Sequence, residues 1–366
     1  MAQVSWENVL ILQTSFLGDA VLTLPLIAEV RRRFAVKRMT VVCTPRAKEL
    51  LQDHPGIDEI IVDDKAGRDR GWTGLKRQAA VLKEKRFTLA LTPHKSLRSA
   101  SMLYLANVPN RVGFRQSKGW FLFHHCAERD PARHDVERNL SILEPFGVSV
   151  EQCRRELDLP LNAAVDQAVE RTLRELGCEE KKLTIGINPG SVWPTKRWWA
   201  PGFARLIGLI KQQRNCQVLL FGGADDRPVV DEVMRRSDGA AISLVGRITL
   251  RELAAAISRC QVFVTNDSGP MHVAVARRVP TVAIFCATTP DLGFYPYSQN
   301  AIVIQKDLYC RPCSSHGGRR CPLGNEDCIR QISPERVLGA VEKLLAANRA
   351  LGESRLTSFQ PQYMAA

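Results

Sequence analysis

The stretch Asn266-Asp267-Ser268-Gly269-Pro270-Met271-His272 follows an apolar run, Val262-Phe263-Val264, and opens a small-residue run, Ala274 to Ala276. That order reads as a strand, a tight turn and the start of a helix. Asp267 or Ser268 is placed to cap the helix, Gly269 lets the backbone approach a ligand, and the unpaired N–H groups of the first turn point at an anion. A diphosphate suits that place. A second loop, Asn188-Pro189-Gly190-Ser191-Val192-Trp193-Pro194-Thr195-Lys196-Arg197, follows the first strand of the second half. It combines Gly, a hydroxyl and adjacent Lys and Arg, the groups that hold phosphate oxygens by backbone N–H, hydroxyl and ammonium together. Taken singly, the first loop is also an ordinary βα turn and the second a solvated basic loop. Their predicted meeting at the carboxyl edge of one sheet favours a binding site.

The first half offers a carboxylate. Its first strand ends in Gln13-Thr14-Ser15-Phe16-Leu17-Gly18-Asp19 and continues as a helix. Asp19 is either a favourable charge at a helix N-terminus or a general base for a hydroxyl held between two domains. His94, Lys95, Ser96 and Arg98, then Arg111, Arg115 and Lys118, then His134 with Arg138, form a set suited to carboxylates and phosphates. Each of these side chains alone also reads as part of a solvated helix face. Cys310-x2-Cys313-x7-Cys321-x6-Cys328 supplies four thiols. They suit a structural zinc or iron ion, or are reduced thiols or one labile disulfide.

The elements that must position these residues alternate in the manner of parallel sheets wrapped by helices. Apolar runs occur at Val9 to Leu12, Met39 to Cys43, Glu59 to Val62 and Phe87 to Leu91, and again at Leu183 to Ile187, Val218 to Phe221, Ala241 to Val245, Val262 to Thr265 and Thr281 to Phe285. With 366 residues, two cores are expected. The predicted fold class is α/β, with two Rossmann-like doubly wound domains facing each other across a cleft. The predicted bounds are 1–162 and 163–350, joined near Leu157 to Asn162, with a structureless tail over 351–366. The last helix is predicted from Pro334 to Ala347, capped by Ser333.

Composition removes several classes of function. The net charge of +13 is shared by both halves, so it suits an anionic membrane face or an acidic substrate better than a tail-borne interaction. Helix-turn-helix, RNP, KH and zinc-finger signatures are missing, so no nucleic acid is expected as a partner. No G-x-G-x-x-G follows the first strand and no G-x-x-x-x-G-K-[ST] occurs, which speaks against dinucleotide oxidoreductases and P-loop NTPases. No unbroken run of about 18 apolar residues occurs, and Val9 to Val30 lacks the form of a signal peptide. A cytoplasmic location is expected, where the eleven cysteines would be unpaired.

From Ile11 to about Leu345 the sequence resembles the family 9 glycosyltransferases, the ADP-heptose:lipopolysaccharide heptosyltransferases. The likeness is densest in Gly18-Asp19 with Leu24-Pro25-Leu26, in Asn188-Pro189-Gly190 with Lys196-Arg197-Trp198, and in Asn266 to His272. The cysteine segment with Cys321-Pro322-Leu323-Gly324 looks like the heptosyltransferase II branch. The resemblance implies a GT-B fold, an ADP-heptose donor held by the second domain, and a lipid A-linked core oligosaccharide acceptor held by the first. It implies inversion by single displacement, no metal required for catalysis, and a peripheral place on the inner face of the inner membrane, against its anionic surface. Carried over by motif, Asp19 takes the acceptor proton, and Lys196 steadies the leaving diphosphate with Ser191, Ser268 and Gly269. Asp267 and His272 contact the donor, Asp225 meets its ribose, and His94, Lys95, Arg98, Arg111 and Arg138 receive the acceptor. A relative using another nucleotide sugar or acceptor, and a GT-B-shaped binding protein without turnover, are the competing readings.

Overall fold

The computed structural model describes residues 5–350 and 359–365. The chain divides into two compact units, Met1–Pro160 and Leu161–Ala366. Each is built on its own sheet, and every recorded strand pair in both sheets is parallel.

The first unit contains β1 (Ser5–Gln13), β2 (Ala35–Cys43), β3 (Glu59–Val62), β4 (Leu89–Leu91), β5 (Arg111–Phe114) and β6 (His125–Ala127). Their order across the sheet is β3-β2-β1-β4-β5-β6, a doubly wound arrangement whose direction of growth reverses between β1 and β4. Val9, Leu10, Ile11 and Leu12 are all fully buried, because helices cover both faces and leave neither side of the strand for polar residues. Loops leaving the carboxyl ends of β1 and β4 therefore part in opposite directions and leave a crevice. Asp19 stands in the first turn of the helix Leu17–Leu22 that follows the first of these loops, and His94 in the second loop.

The second unit contains β7 (Leu183–Asn188), β8 (Cys216–Leu220), β9 (Ile242–Ser243), β10 (Val262–Asn266), β11 (Thr281–Phe285), β12 (Ala301–Gln305) and β13 (Gln362–Ala365). Their order, β13-β12-β11-β10-β7-β8-β9, reverses between β7 and β10. Asn188 is in register with Thr265 across that pair, so the two loops singled out by sequence leave the sheet side by side. The core beneath them is aromatic: Trp198 and Phe203 meet edge to face at 4.8 Å, and Phe221 and Phe263 at 5.2 Å. Such pairs add dispersion and quadrupole attraction to the burial of large apolar surface.

Several elements differ from the sequence expectation. β5, β6 and β12 are additional strands; β5 (Arg-Val-Gly-Phe) is too short and mixed to show a period. The strand expected over Ala241 to Val245 is reduced to Ile242–Ser243 at the sheet edge, where one side of the ladder has no neighbour to pair with. The last helix runs Pro334–Ala350. The expectation of a structureless tail is corrected at its end: Gln362–Ala365 adds a parallel strand to β12, and Phe359 stacks on Tyr297 at 4.7 Å. A polar segment is stabilised there because the exposed edge of β12 satisfies its backbone groups. Residues 351–358 lie outside the described residues. Among the described residues no helix is long and apolar enough to cross a membrane.

Candidate functional site

At the reversal point of the second sheet, two asparagines join the two loops. Asn266 donates from Nδ2 to the carbonyls of Pro189 (2.9 Å) and Gly190 (3.3 Å), and its Oδ1 accepts from the Trp198 N–H at 2.9 Å. Asn188 donates to Gly190 O at 3.2 Å, Thr265 Oγ1 at 3.2 Å and Ser268 Oγ at 3.3 Å. Both asparagines are buried, so each bond is made where water cannot replace it. They lie within the motifs read from sequence, which assigned them no role. What marks them is an amide at the last position of two adjacent parallel strands.

Between these loops Lys196 Nζ lies 2.6 Å from Asp267 Oδ2. Thr288 Oγ1 donates to the same oxygen at 2.6 Å. The ammonium has three donors and this pair uses one, so the cation is both anchored and able to bind a further anion. Asp267 does not cap the helix Gly269–Ala276, and Ser268, which occupies the N-cap position, makes no side-chain cap bond. That corrects the capping expectation: one side chain is held by Lys196 and the other by Asn188 and Thr265. His272 is buried one turn into the helix, and burial lowers its pKa to about 4, with Asp267 opposing and Lys196 reinforcing the shift. The imidazole is therefore neutral at pH 7, and its Nδ1 has no hydrogen-bond partner. Ser191 is buried, and its carbonyl accepts from Arg197 Nε at 2.7 Å.

Asp225 is exposed in the short turn Ala224–Asp226. Its neighbour Asp226 faces the site: it accepts the Gly223 N–H at 3.0 Å and lies 3.9 Å from Arg197 Nη2. A Cβ on Gly190 would collide with the Asp226 carboxylate, so glycine is required for that approach. The resemblance named Asp225 and not Asp226, and two consecutive aspartates carry the same local signal in sequence.

In the first unit the Asp19 carboxylate accepts the Phe16 N–H at 2.9 Å and acts on the helix Leu17–Leu22 from its first turn. It is half-buried. Together with Asp63 it draws on the ammonium of Lys65, whose pKa is lowered chiefly by desolvation. Lys65 was missed by sequence reading, since a lysine in a loop carries no spacing signal. His94 shares this crevice, with Nδ1 3.3 Å from Thr14 Oγ1 and 2.8 Å from Ser99 Oγ.

The cationic set for an acceptor needs correction. Burial, aided by Lys65, lowers the pKa of His94 to about 4, so it is no cation at neutral pH. Arg98 is bound to the buried Asp63 at 2.7 Å and to the carbonyls of Asp69 and Gly71. Arg111 is buried, donating to Leu122 O at 2.8 Å and Val108 O at 2.5 Å beneath the Tyr104 ring. Arg138 is buried against the carbonyls of Asp130 and Pro131, and His134 caps the helix Asp135–Leu140 through Nδ1. The fork-shaped donors of these arginines are used on their own unit. Lys95 and Lys118 remain exposed, and Arg115 pairs with Glu128 at 3.0 Å.

All eleven cysteines are free. Cys313 Sγ is directed to the Cys310 carbonyl at 3.4 Å, and Cys321 Sγ to Asn325 Oδ1 at 3.7 Å. Among the described residues no three His, Cys, Asp or Glu side chains are grouped to hold a metal ion. The four thiols expected as a ligand set nevertheless lie near enough for their charges to interact, Cys328 with Cys310, Cys313 and Cys321.

Each unit thus offers chemistry of its own at its reversal point: a carboxylate in the first, and in the second an anchored ammonium beside a helix N-terminus, a combination suited to a phosphorylated ligand. Comparison with known proteins agrees. Residues 75–322 match the model of glycosyltransferase family 9 (heptosyltransferase). The chain is 28% identical over 355 residues to lipopolysaccharide heptosyltransferase 2 of Salmonella typhimurium, covering 93% of this chain and 99% of that one. It is 26% identical over 335 residues to lipooligosaccharide heptosyltransferase 2 of Campylobacter jejuni, covering 90% and 96%. A solved family 9 glycosyltransferase from Veillonella parvula superposes with a TM-score of 0.83 at 27% identity, over 93% of this chain and 98% of the other. With its two doubly wound sheets of GT-B type and a family match that covers more than half of the chain, this chain belongs to glycosyltransferase family 9.

Proposed function

We propose that the protein transfers heptose from ADP-heptose to the inner core of lipopolysaccharide, with inversion at the anomeric carbon. The observation that carries this reading is the Lys196–Asp267 pair, 2.6 Å apart, beside the start of the helix Gly269–Ala276. As the donor's glycosidic bond breaks, negative charge grows on the departing diphosphate. The two remaining Lys196 donors and the helix N-terminus stabilise it there. Asp267 keeps the ammonium oriented and Ser191, Ser268 and Gly269 line the same edge. Neutral His272 adds no charge that would hold the product. Asp19 takes the proton from the attacking hydroxyl, and its carboxylate offsets positive charge on an oxocarbenium-like sugar. The names of the relatives support the substrate class. Because such an acceptor is lipid-anchored, the excess of basic residues suits a peripheral position on an anionic membrane face. No step in this scheme uses a metal.

The test is incubation of pure protein with ADP-heptose and defined core acceptors, followed by mass spectrometry of the products. Gain of one heptose by the acceptor, with release of ADP, is expected. Asp19→Asn should remain folded and transfer about 10²- to 10⁴-fold more slowly. Transfer from a different nucleotide sugar would reassign the donor. Donor binding without any turnover would point to a non-catalytic protein, and unimpaired Asp19→Asn would remove the base.

A further inference from the structure

The cysteine-bearing loop has no part in the scheme above, yet it lies directly against the lysine on which that scheme depends. Gly317 sits in the left-handed region (φ 84°), and a Cβ there would come within 2.8 Å of Lys196 Cγ and 3.0 Å of Cδ. The next residue joins the two loops. Gly318 N–H donates to Thr195 Oγ1 at 2.7 Å, and Gly318 O accepts from Thr195 Oγ1 at 3.0 Å and from the Thr195 N–H at 3.2 Å. Thr195 immediately precedes Lys196, so the backbone carrying the lysine and the wall along its aliphatic stem belong to one hydrogen-bonded unit.

The other end of the loop is fixed by Arg311. Its guanidinium donates to the carbonyls of Phe285 (3.0 Å), Thr288 (2.5 Å), Cys286 and Lys306, and to Gln305 Oε1 at 3.2 Å. Thr288 is the residue whose hydroxyl holds Asp267. Arg311 therefore fixes the backbone of the residue that holds the Asp267 carboxylate, while Gly317 and Gly318 confine Lys196. A guanidinium fork satisfied by oxygens from two segments is a rigid fastening.

We propose that this loop is the wall that sets the position of the Lys196 ammonium, with Gly317 and Arg311 as positioning residues. The inference rests on the reading of Lys196 as a ligand of the donor diphosphate. A lysine stem has four rotatable bonds, and displacing its head by about 1 Å is enough to cost a large factor at a charged site. Glycine at position 317 lets the stem lie flat against the loop. Any side chain there pushes the stem aside.

The test is a double-mutant cycle on the full chain, with ADP affinity measured by calorimetry. Asparagine tolerates a positive φ, so Gly317→Asn introduces bulk with little backbone strain. It should weaken ADP binding about 10-fold or more. In a Lys196→Ala background, where no stem remains to be displaced, the same change should alter affinity by less than about 2-fold. Arg311→Gln should show the same dependence on Lys196 and serves if Gly317→Asn does not fold. Equal losses in both backgrounds, or none in the wild type, would overturn the proposal while leaving the functional reading intact. Unchanged ADP affinity in Lys196→Ala alone would remove that reading and this proposal together. Unfolding of both loop variants would assign the loop to folding and overturn the positioning role.

Discussion

Lys196 and Asp267 form a largely buried pair in which one carboxylate oxygen also receives the Thr288 hydroxyl. Charges removed from water are costly unless paired, and removing one partner leaves the other uncompensated. Lys196→Ala or Asp267→Asn should each lower unfolding free energy by about 3 kcal/mol, measured by urea denaturation. The double variant should lose less than the sum of the two, because the penalty of an orphaned charge is then absent. Additive losses would mean that the two groups are independent. At this scale the sequence named both residues but gave no sign that they were partners, since pairing depends on two loops meeting in space.

At the scale of elements, each loop is placed by the strand end from which it leaves. β7 and β10 are neighbours in register, and Asn188 and Asn266 convert that adjacency into a fixed relation between the loops. In the first unit Arg98 does similar work, holding the Asp63 carboxylate at the end of β3 against the turn at Asp69 to Gly71. Arg98→Met should therefore destabilise the protein by about 3 kcal/mol, since Asp63 would stay buried without the ion pair that Arg98 makes, leaving only its interaction with Lys65. A thermal or urea midpoint near that of the wild type, with weakened acceptor binding, would restore Arg98 to the acceptor set. The predicted alternation of strands and helices made these elements legible. The destination of each arginine was not, because a guanidinium on a solvated face and one spent on buried carbonyls have the same neighbours in sequence.

For the whole molecule, each unit carries its own sheet and core, and buried carboxylates in the first unit tie its stability to pH. Glu29 is raised by burial but more than compensated by Arg32 and Arg33, giving a pKa of about 2. For Asp69, burial is likewise overridden by Arg77 and Gln78, again to about 2. A folded-state pKa below the unfolded value means that the unfolded chain binds protons first. The stabilisation is then complete above about pH 4.5 and is lost as pH falls towards 2. Glu29 alone should account for about 3 kcal/mol of that loss. Urea midpoints taken at pH 7, 4.5 and 3 should fall in that interval, and Glu29→Gln should be less stable at pH 7 with a flatter acid limb. An unchanged slope in that variant would remove Glu29 from the account.

The sequence by itself determined the fold class, because continuous Val, Ile and Leu runs separated by helical stretches have no other way to bury both faces of their strands. It also singled out Asn188 to Lys196 and Asn266 to His272, since glycine, hydroxyl and cation in a strand-to-helix turn form a local chemical pattern. Tertiary structure alone decided that Lys196 is held by Asp267, that Asp226 rather than Asp225 faces Gly190, and that Arg98, Arg111 and Arg138 are internal fastenings. It also decided that the cysteine-bearing loop lies on the stem of Lys196. The physical reason is the same in each case: a residue's type fixes which bonds its side chain is able to make, whereas its partner comes from another segment that only the packed sheet brings near.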